Sequence, residues 1–546
     1  MGKTRKSNNK IKVIIGGPGT GKTQYLLKKL EKFVQKGTPP ERIAFVTFTR
    51  PAVKEARDRV KDLFETPPSL PWIRTIHSTA YKLLGLTKRQ IMNHKMWKKF
   101  ADTYLYNLTN SKYFSQNIED SPVELPKLTA DDCLRYVYEW AKNAMMPIDA
   151  APAKCGLAVP LRQLKVFAER LLDFKTKEHL LDYTDLLYEA LKSEKVPDVD
   201  VAFIDEAQDL SPLQIAVINH WFSKCRHVFI AGDDDQAIYS FQGSDPQWLV
   251  SLSKEHPVKI FKRSHRIPHC INTFASQIIQ RNKNRIVRDL EATQEDGELL
   301  FLTLEDALTR VSHGDNVLIL ARNRMFLEKP AKYFFNSGIP YVVDGPGGPS
   351  PFSFSKIVKA VESAVKLSRG WDLKPDELLA MLRFIPQRGY NLLEYGLKSK
   401  IETQLKDKKD LLPLHKIKNE LGLGKVIEAI ITKGPTSVLL RIDNNTRNYF
   451  QKILNSYKFI PGPTIKLTSI HGAKGLEADT VIVLPDMTKA SYKEYFDTGQ
   501  NGFEAENRVA YVAVTRARRR LIITYPCTKR FYNYPSYKPS KVEGVK

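Results

Sequence analysis

Two stretches of this chain carry residues whose types and spacing can do phosphate chemistry. The first is Gly16-Gly17-Pro18-Gly19-Thr20-Gly21-Lys22-Thr23. It fits the pattern G-x-x-x-x-G-K-[ST], in which glycines let backbone N–H groups curl around an anion without Cβ clashes. Lys22 would then reach the β- and γ-phosphates of a nucleotide, and the Thr23 hydroxyl would sit on Mg²⁺. A helix opening at this point adds its positive N-terminal end. The second stretch is Asp205-Glu206, at the end of the apolar run Val201-Ala202-Phe203-Ile204. An aspartate there can hold Mg²⁺, and the glutamate beside it can orient and deprotonate a water. An Asp-Glu pair alone is as often a solvated turn; beside a phosphate loop it makes half of a hydrolytic site.

Both stretches need a scaffold that ends strands side by side. Ile11 to Ile15 is a strand pattern leading into the glycines. Gln24 to Gln35 is amphipathic, with Leu26, Leu27, Leu30, Phe33 and Val34 on one face, and stops at Gly37 with Pro39 and Pro40 beyond. Ile43 to Phe48 is a strand running into Thr49-Arg50, where Pro51 can start a helix. Trp72 to Ile76, Val199 to Ile204 and His227 to Ala231 are further strands. The last runs into Gly232-Asp233-Asp234-Asp235-Gln236. Strand alternating with helix predicts a doubly wound parallel sheet, with ligands at the carboxyl ends of the strands. A second such unit begins near Phe261, with strands at Leu299 to Leu302, Val317 to Ala321, Pro340 to Val343, Ile465 to Ile470, Thr480 to Leu484 and Leu521 to Tyr525. Helical patterns interrupt each unit. The expected division is 1–85 and 182–260 for the first unit with 86–181 as its insertion, 261–345 and 461–527 for the second with 346–460 as its insertion, and a loose basic tail over 528–546.

Composition sets limits on partners. At 546 residues the chain exceeds what one core serves. With 85 Lys and Arg against 60 Asp and Glu, the net charge is +25, well above the magnitude of ~2–8 that solubility asks of a small domain. A polyanionic partner is expected, without a choice between DNA, RNA and an anionic surface. The five cysteines are scattered with no C-x-x-C pair, which disfavours a disulfide framework and a zinc ribbon. No run approaches the ~18 apolar residues of a membrane span, and the basic residues before Ile11 do not read as a secretory signal. A cytoplasmic setting follows (nucleoid, or host cytoplasm for a viral version), with the nucleus left open.

Four blocks carry a resemblance. Asp205-Glu206-Ala207-Gln208-Asp209, Gly232-Asp233-Asp234-Asp235-Gln236-Ala237-Ile238-Tyr239, His471-Gly472-Ala473-Lys474-Gly475-Leu476-Glu477 and Val514-Thr515-Arg516-Ala517 resemble the signature blocks of UvrD/Rep/PcrA-type superfamily 1 DNA helicases, in the family's order. The resemblance implies an α/β fold of two RecA-like parallel-sheet P-loop NTPase domains, each interrupted by a mostly helical insertion, with ATP and Mg²⁺ between them. By resemblance Gln236 senses the γ-phosphate, Arg266 and Arg516 are arginine fingers from the second domain, Glu477 contacts the ribose, and His265 replaces a tyrosine that stacks on the base. Phe48, His77, Tyr239, Phe241, Asn323 and His471 match positions lining a single-strand path, with Thr49 and Arg50 at the neighbouring strand end. Three departures stand out. No glutamine precedes the first strand to read adenine, Phe241-Gln242 replaces a Trp-Arg pair, and both insertions are short. The implied activity is ATP-dependent movement on single-stranded DNA, 3′ to 5′, with strand separation at ss/dsDNA junctions and replication or recombination proteins as further partners. The alternatives are an RNA-directed motor, a translocase that displaces proteins with little unwinding, and a non-catalytic nucleic-acid scaffold.

Overall fold

The first sheet is built from β1 (Lys10–Gly16), β2 (Ile43–Thr47), β3 (Trp72–Thr75), β4 (Val201–Ile204), β5 (His227–Gly232) and β6 (Val258–Phe261), in the order β3-β2-β4-β5-β1-β6. Every pairing in it is parallel. β2 and β4 are buried at every position, because helices cover both faces of such a sheet; their sequences are therefore continuous apolar runs rather than alternating ones. In register, Ile15 faces Gly232 and Val46 faces Ile204. The glycine loop, Asp205 and the Gly232 block thus leave the sheet at the same end, the carboxyl end of the strands. This computed structural model describes residues 10–109, 128–155, 157–239, 243–312, 314–344, 350–497 and 499–535.

The second sheet contains β7 (Glu298–Leu302), β8 (Val317–Ala321), β9 (Tyr341–Val343), β10 (Ile465–Ser469), β11 (Ala478–Leu484) and β12 (Ala517–Thr524). Its order is β7-β12-β11-β8-β10-β9, again all parallel. One apolar core runs through both sheets, from Val13, Ile204 and Ile230 of the first to Leu318, Val481 and Leu521 of the second. The lobes are packed on one another.

β6 has no counterpart among the expected strands. Val258, Lys259 and Ile260 are exposed, as an edge strand allows, and so short a run exposed on both faces gives little pattern to read. Its pairing with β1 carries the chain on past Phe261 along the first lobe. The changeover to the second lobe comes only after Arg266, with the helix His269–Ile279, which packs on the helix Gly499–Val514 and on β7.

The first insertion has its own core, in which Trp97, Phe100, Leu134, Phe167 and Leu171 meet. It is tied to the first lobe by the buried Lys175 ammonium, which donates to Asp182 at 2.6 Å and Asp185 at 2.5 Å. The second insertion, with helices Ser355–Ser368, Pro375–Leu382, Leu397–Leu405, Gly424–Lys433 and Asn444–Tyr457, shares its core with the second sheet. The tail is not loose over its described part: the Tyr532 hydroxyl donates to Asn507 Oδ1 at 2.6 Å, and Tyr534 stacks on Phe274. Aromatic rings that find an apolar slot outweigh the tail's charge there. Among the described residues no helix is long and apolar enough to cross a membrane.

Candidate nucleotide and nucleic-acid site

The phosphate loop is shaped by its glycines. Gly19 and Gly21 have φ of 70° and 80°, the left-handed region that side chains avoid. A Cβ on Gly16 would lie 2.4 Å from Thr20 Oγ1, and one on Gly19 would lie 2.5 Å from Arg266 Cβ. Lys22 opens the helix Lys22–Gln35, and its Nζ donates to the carbonyls of Gly16 at 2.8 Å and Gly17 at 3.2 Å. Thr23 Oγ1 donates to Asp205 Oδ2 at 2.7 Å. A hydroxyl and a carboxylate oxygen so close can share one hard cation, so this donor set fits Mg²⁺ beside a triphosphate.

Burial, with Glu206 adjacent, pushes the Asp205 carboxyl up to about 6, against the pull of Thr23 and Lys22. Glu206 behaves oppositely. Burial alone would raise it, but Lys474 and Lys22 outweigh that and hold it below its ordinary value, so it is ionised at neutral pH. Glu206 sits at φ 55°, a strained setting for a non-glycine residue that costs on the order of 1–3 kcal/mol. Gln208 fixes it there, donating from Nε2 to Glu206 Oε2 while its Oε1 accepts from Asp233 N at 2.9 Å. Gln208 thus stitches the ends of β4 and β5 together.

Gln236 lies on the turn after β5. It donates from Nε2 to Asp233 Oδ2, and its Oε1 accepts from Arg516 Nη2 at 2.7 Å. Arg516 stands between the helix Gly499–Val514 and β12, only 2% exposed. Its burial, with Arg266 close by, lowers its pKa to about 9. Lys474 joins the lobes at the same place: its Nζ donates to both Asp209 oxygens at 2.6 Å and to the Gln236 carbonyl at 2.6 Å, and sits 4.9 Å from the centre of the Tyr239 ring. The sequence reading did not single out Lys474; its only signal was a cation inside the block that carries His471 and Glu477.

Arg266 differs from expectation. It does not rise from the second lobe. Ser264 Oγ donates to Pro18 O at 2.9 Å, and His265 N donates to Gly19 O at 2.9 Å. Arg266 therefore stands on the phosphate-loop wall, carried there by the β6–β1 pairing. The exposed His265 ring is beside it. Glu477, expected at a ribose, lies between Arg266 and Arg518 and pairs with both. The carboxylate takes the two guanidinium groups because like charges on facing lobes need a counter-charge.

Asp233, Asp234 and Asp235 bring their oxygens within 4.8 Å of one another, a spacing that could hold a metal. Arginines fill that role instead. Arg288 pairs with all three, and Arg285 makes a fork to Asp235 at 2.8 and 2.6 Å. Arg508 Nε donates to the Asp234 carbonyl at 3.1 Å. Neither Arg285 nor Arg288 was legible in the sequence, because nothing local ties them to residues some fifty positions earlier.

The expected strand-contacting residues gather in part. Phe48 stacks on Tyr239, with ring centres 5.6 Å apart, and Tyr239 lies 6.4 Å from His471. The three rings form a row across both lobes, each at most 6% exposed. His77 meets Tyr183 edge-on at 5.8 Å. Asn323 is tied to the second lobe, donating to Ser491 Oγ at 3.0 Å and accepting from Thr488 N at 2.8 Å. Thr49 caps the helix Arg50–Leu63 through Ala52 N, and Arg50 is exposed. Phe241 lies outside the described residues.

The sequence profile of the UvrD/REP helicase N-terminal domain matches residues 3–257, and that of the UvrD-like helicase C-terminal domain matches residues 399–528. The chain belongs to the UvrD/Rep-type superfamily 1 helicases. Among similar proteins, the helicase-like protein YjcD of Bacillus subtilis (strain 168) is 26% identical over 95% of this chain and 77% of its own length. DNA helicase II of Rickettsia typhi is 25% identical over 97% of this chain and 92% of its own. The ATP-dependent DNA helicase PcrA of Staphylococcus aureus (strain MRSA252) is 21% identical over 97% and 83%. UvrD-type enzymes couple ATP hydrolysis to DNA unwinding, and the cleft of this UvrD-type chain brings together the glycine loop, the Thr23–Asp205 pair, Glu206 and the buried Arg516.

Proposed function

We propose that this UvrD-type helicase steps 3′ to 5′ along single-stranded DNA and separates strands at ss/dsDNA junctions. In this reading residues 86–181 and 346–460 are the insertions of its two lobes. Gly16 to Thr23 would hold ATP, Thr23 and Asp205 would hold its Mg²⁺, and the phosphoanhydride bond of ATP would supply the free energy that drives the cycle.

The chain's own groups do the rest. Glu206, held ionised, orients and deprotonates a water. Lys22 and Arg516 place positive charge where the transferring group gains negative charge. The observation that carries the reading is the position of Gln236. Its side chain meets Arg516, its carbonyl meets Lys474, and Tyr239 of the ring row is three residues away. A change at the phosphates that moved Arg516 would shift the ring row, which is buried while the lobes are packed together and becomes a stacking surface as they part. Stacking is worth ~1–3 kcal/mol per base and reads no sequence, as a translocase needs. Alternating closure and opening of the lobes then becomes stepping.

The test is strand displacement by the full chain on duplexes with a 3′ or a 5′ single-stranded tail. Unwinding from the 3′ tail only, dependent on ATP and abolished by Lys22→Ala, is expected. Unwinding from the 5′ tail would overturn the direction, and ATPase stimulated by RNA but not by DNA would overturn the substrate.

A further inference from the structure

The phosphate loop and the ring row use one end of the first sheet. At the other end, where β1, β5 and β6 begin, a groove of about 520 Å³ opens between the sheet and the last turns of the helix Lys22–Gln35. Five lysines line it: Lys10 and Lys12 from β1, Lys29 and Lys32 from the helix, and Lys36 just past its end. Among the described residues no carboxylate lines it. None of the five has a carboxylate partner among the described residues. Its floor is aromatic. The partly exposed Phe33 ring lies 5.3 Å from His227 and 5.9 Å from Phe229.

Three features separate this groove from ordinary solubility charge. The cations converge on a concavity instead of spreading over a convex surface. They are gathered without a counter-charge, which raises the energy of the free protein and is relieved by a bound polyanion. Flat rings lie beneath them, so the groove combines the two elements of single-strand binding: phosphate-seeking cations and a base-stacking surface. A strand rises ~3.3 Å per residue, so Lys10 stands about 20 Å from Gly16. That is more than twice the screening length of about 8 Å at physiological salt, and an occupant here would act independently of the phosphate loop.

We propose that this groove is a second nucleic-acid site, which takes the phosphates of a single strand outside the translocation path and sets a base against Phe33 and His227. The choice of nucleic acid over another polyanion rests on the helicase reading. The site holds a strand close to the motor while the lobes step along its partner.

The experiment uses the full chain and a short fluorescent oligothymidylate. Binding stoichiometry and salt dependence are measured for the wild type, for Lys12→Ala/Lys32→Ala/Lys36→Ala, and for the same three positions changed to arginine. Two oligonucleotides per chain are expected. In the alanine variant the weaker event should lose about tenfold in affinity, and its slope of log K on log salt should fall by about 2, since each lysine contributes ~0.7 on single strands. The arginine variant should keep both events. Oligonucleotide-stimulated ATPase should be the same in all three, and its absence from the wild type would instead count against the motor reading. One oligonucleotide per wild-type chain, or a second event unchanged in the alanine variant, would overturn the proposal. Displacement of the weaker strand by polyglutamate at lower concentration than by oligothymidylate would overturn it in favour of an acidic protein partner.

Discussion

Arg516 donates to Gln236 at 2.7 Å although 280 residues separate them in sequence. The arginine leads into β12 of the second sheet, and the glutamine follows β5 of the first. Both are buried. The bond exists only because the lobes are packed together, so it reports the closed cleft. Gln236 is itself oriented by Asp233, which makes it a fixed target and not a mobile one. Arg516→Ala should lower the ATPase kcat by roughly 10³-fold or more, as loss of an arginine finger does, with little change in KM. Steady-state ATPase at saturating single-stranded DNA checks this, and an equal loss in ATP affinity would speak against the role.

Lys22 is the only lysine of the phosphate loop, and its ammonium is held over the carbonyls of Gly16 and Gly17. Lys22→Ala should abolish DNA-stimulated ATP hydrolysis while leaving the melting temperature within a few degrees of wild type. Parallel ATPase and thermal-melt measurements decide between a lost site and a lost fold.

Lys474 and Asp209 form a cross-lobe ion pair, with the carboxylate 2% and the ammonium 10% exposed. Above about pH 7, where Asp209 is ionised, removing Lys474 leaves an uncompensated buried charge and costs ~3–5 kcal/mol. Lys474→Met should therefore lower stability strongly, while Lys474→Met/Asp209→Leu should recover part of the loss. A double-mutant cycle by denaturant unfolding gives the coupling.

Burial pushes the Asp209 carboxyl up to about 7 despite Lys474. The folded state then holds a proton that the unfolded chain, near 3.8, releases. From about pH 4 to 7 the folded form binds more protons, so this group's contribution to stability falls as pH rises through that window. In Asp209→Asn the contribution is absent. The stability of wild type relative to this variant should decline between pH 4 and pH 7 and level off above, which unfolding curves at several pH values will show.

Arg288 pairs with three buried aspartates at once. Arg288→Ala should destabilise the protein by ~3–5 kcal/mol. Arg288→Lys should rescue only part of it, since an ammonium cannot fork between carboxylates. Thermal unfolding of the two variants side by side is the check.

How much was legible follows from how local each feature is. The strands Val317–Ala321 and Ile43–Thr47 stand out because a strand covered on both faces must be apolar along its length. β6 does not, because an exposed edge strand has no such demand. The phosphate loop and Asp205-Glu206 announced themselves as contiguous blocks. Gln208, Arg285, Arg288 and Lys474 did not, because each earns its role only from a partner brought by the fold. Arg266 shows the limit most clearly: its block was recognised, but its lobe was misassigned, since the strand that carries it to Gly19 is the one that left no pattern.

The sequence by itself determined which groups are present: a phosphate loop, a carboxylate pair, a glutamine and arginines at block positions, and two alternating α/β units to carry them. These depend on residue type, backbone freedom and short-range periodicity, all written locally. Only the tertiary structure decided which wall of the cleft holds each arginine, that Arg516 meets Gln236, that Glu477 is shared by Arg266 and Arg518, and that five lysines converge at the far end of the first sheet. Those facts depend on strand order and packing: they bring Arg516 to Gln236 across 280 positions, and they lay the helix Lys22–Gln35 against β1 so that nearby lysines face one groove, neither of which a local pattern encodes.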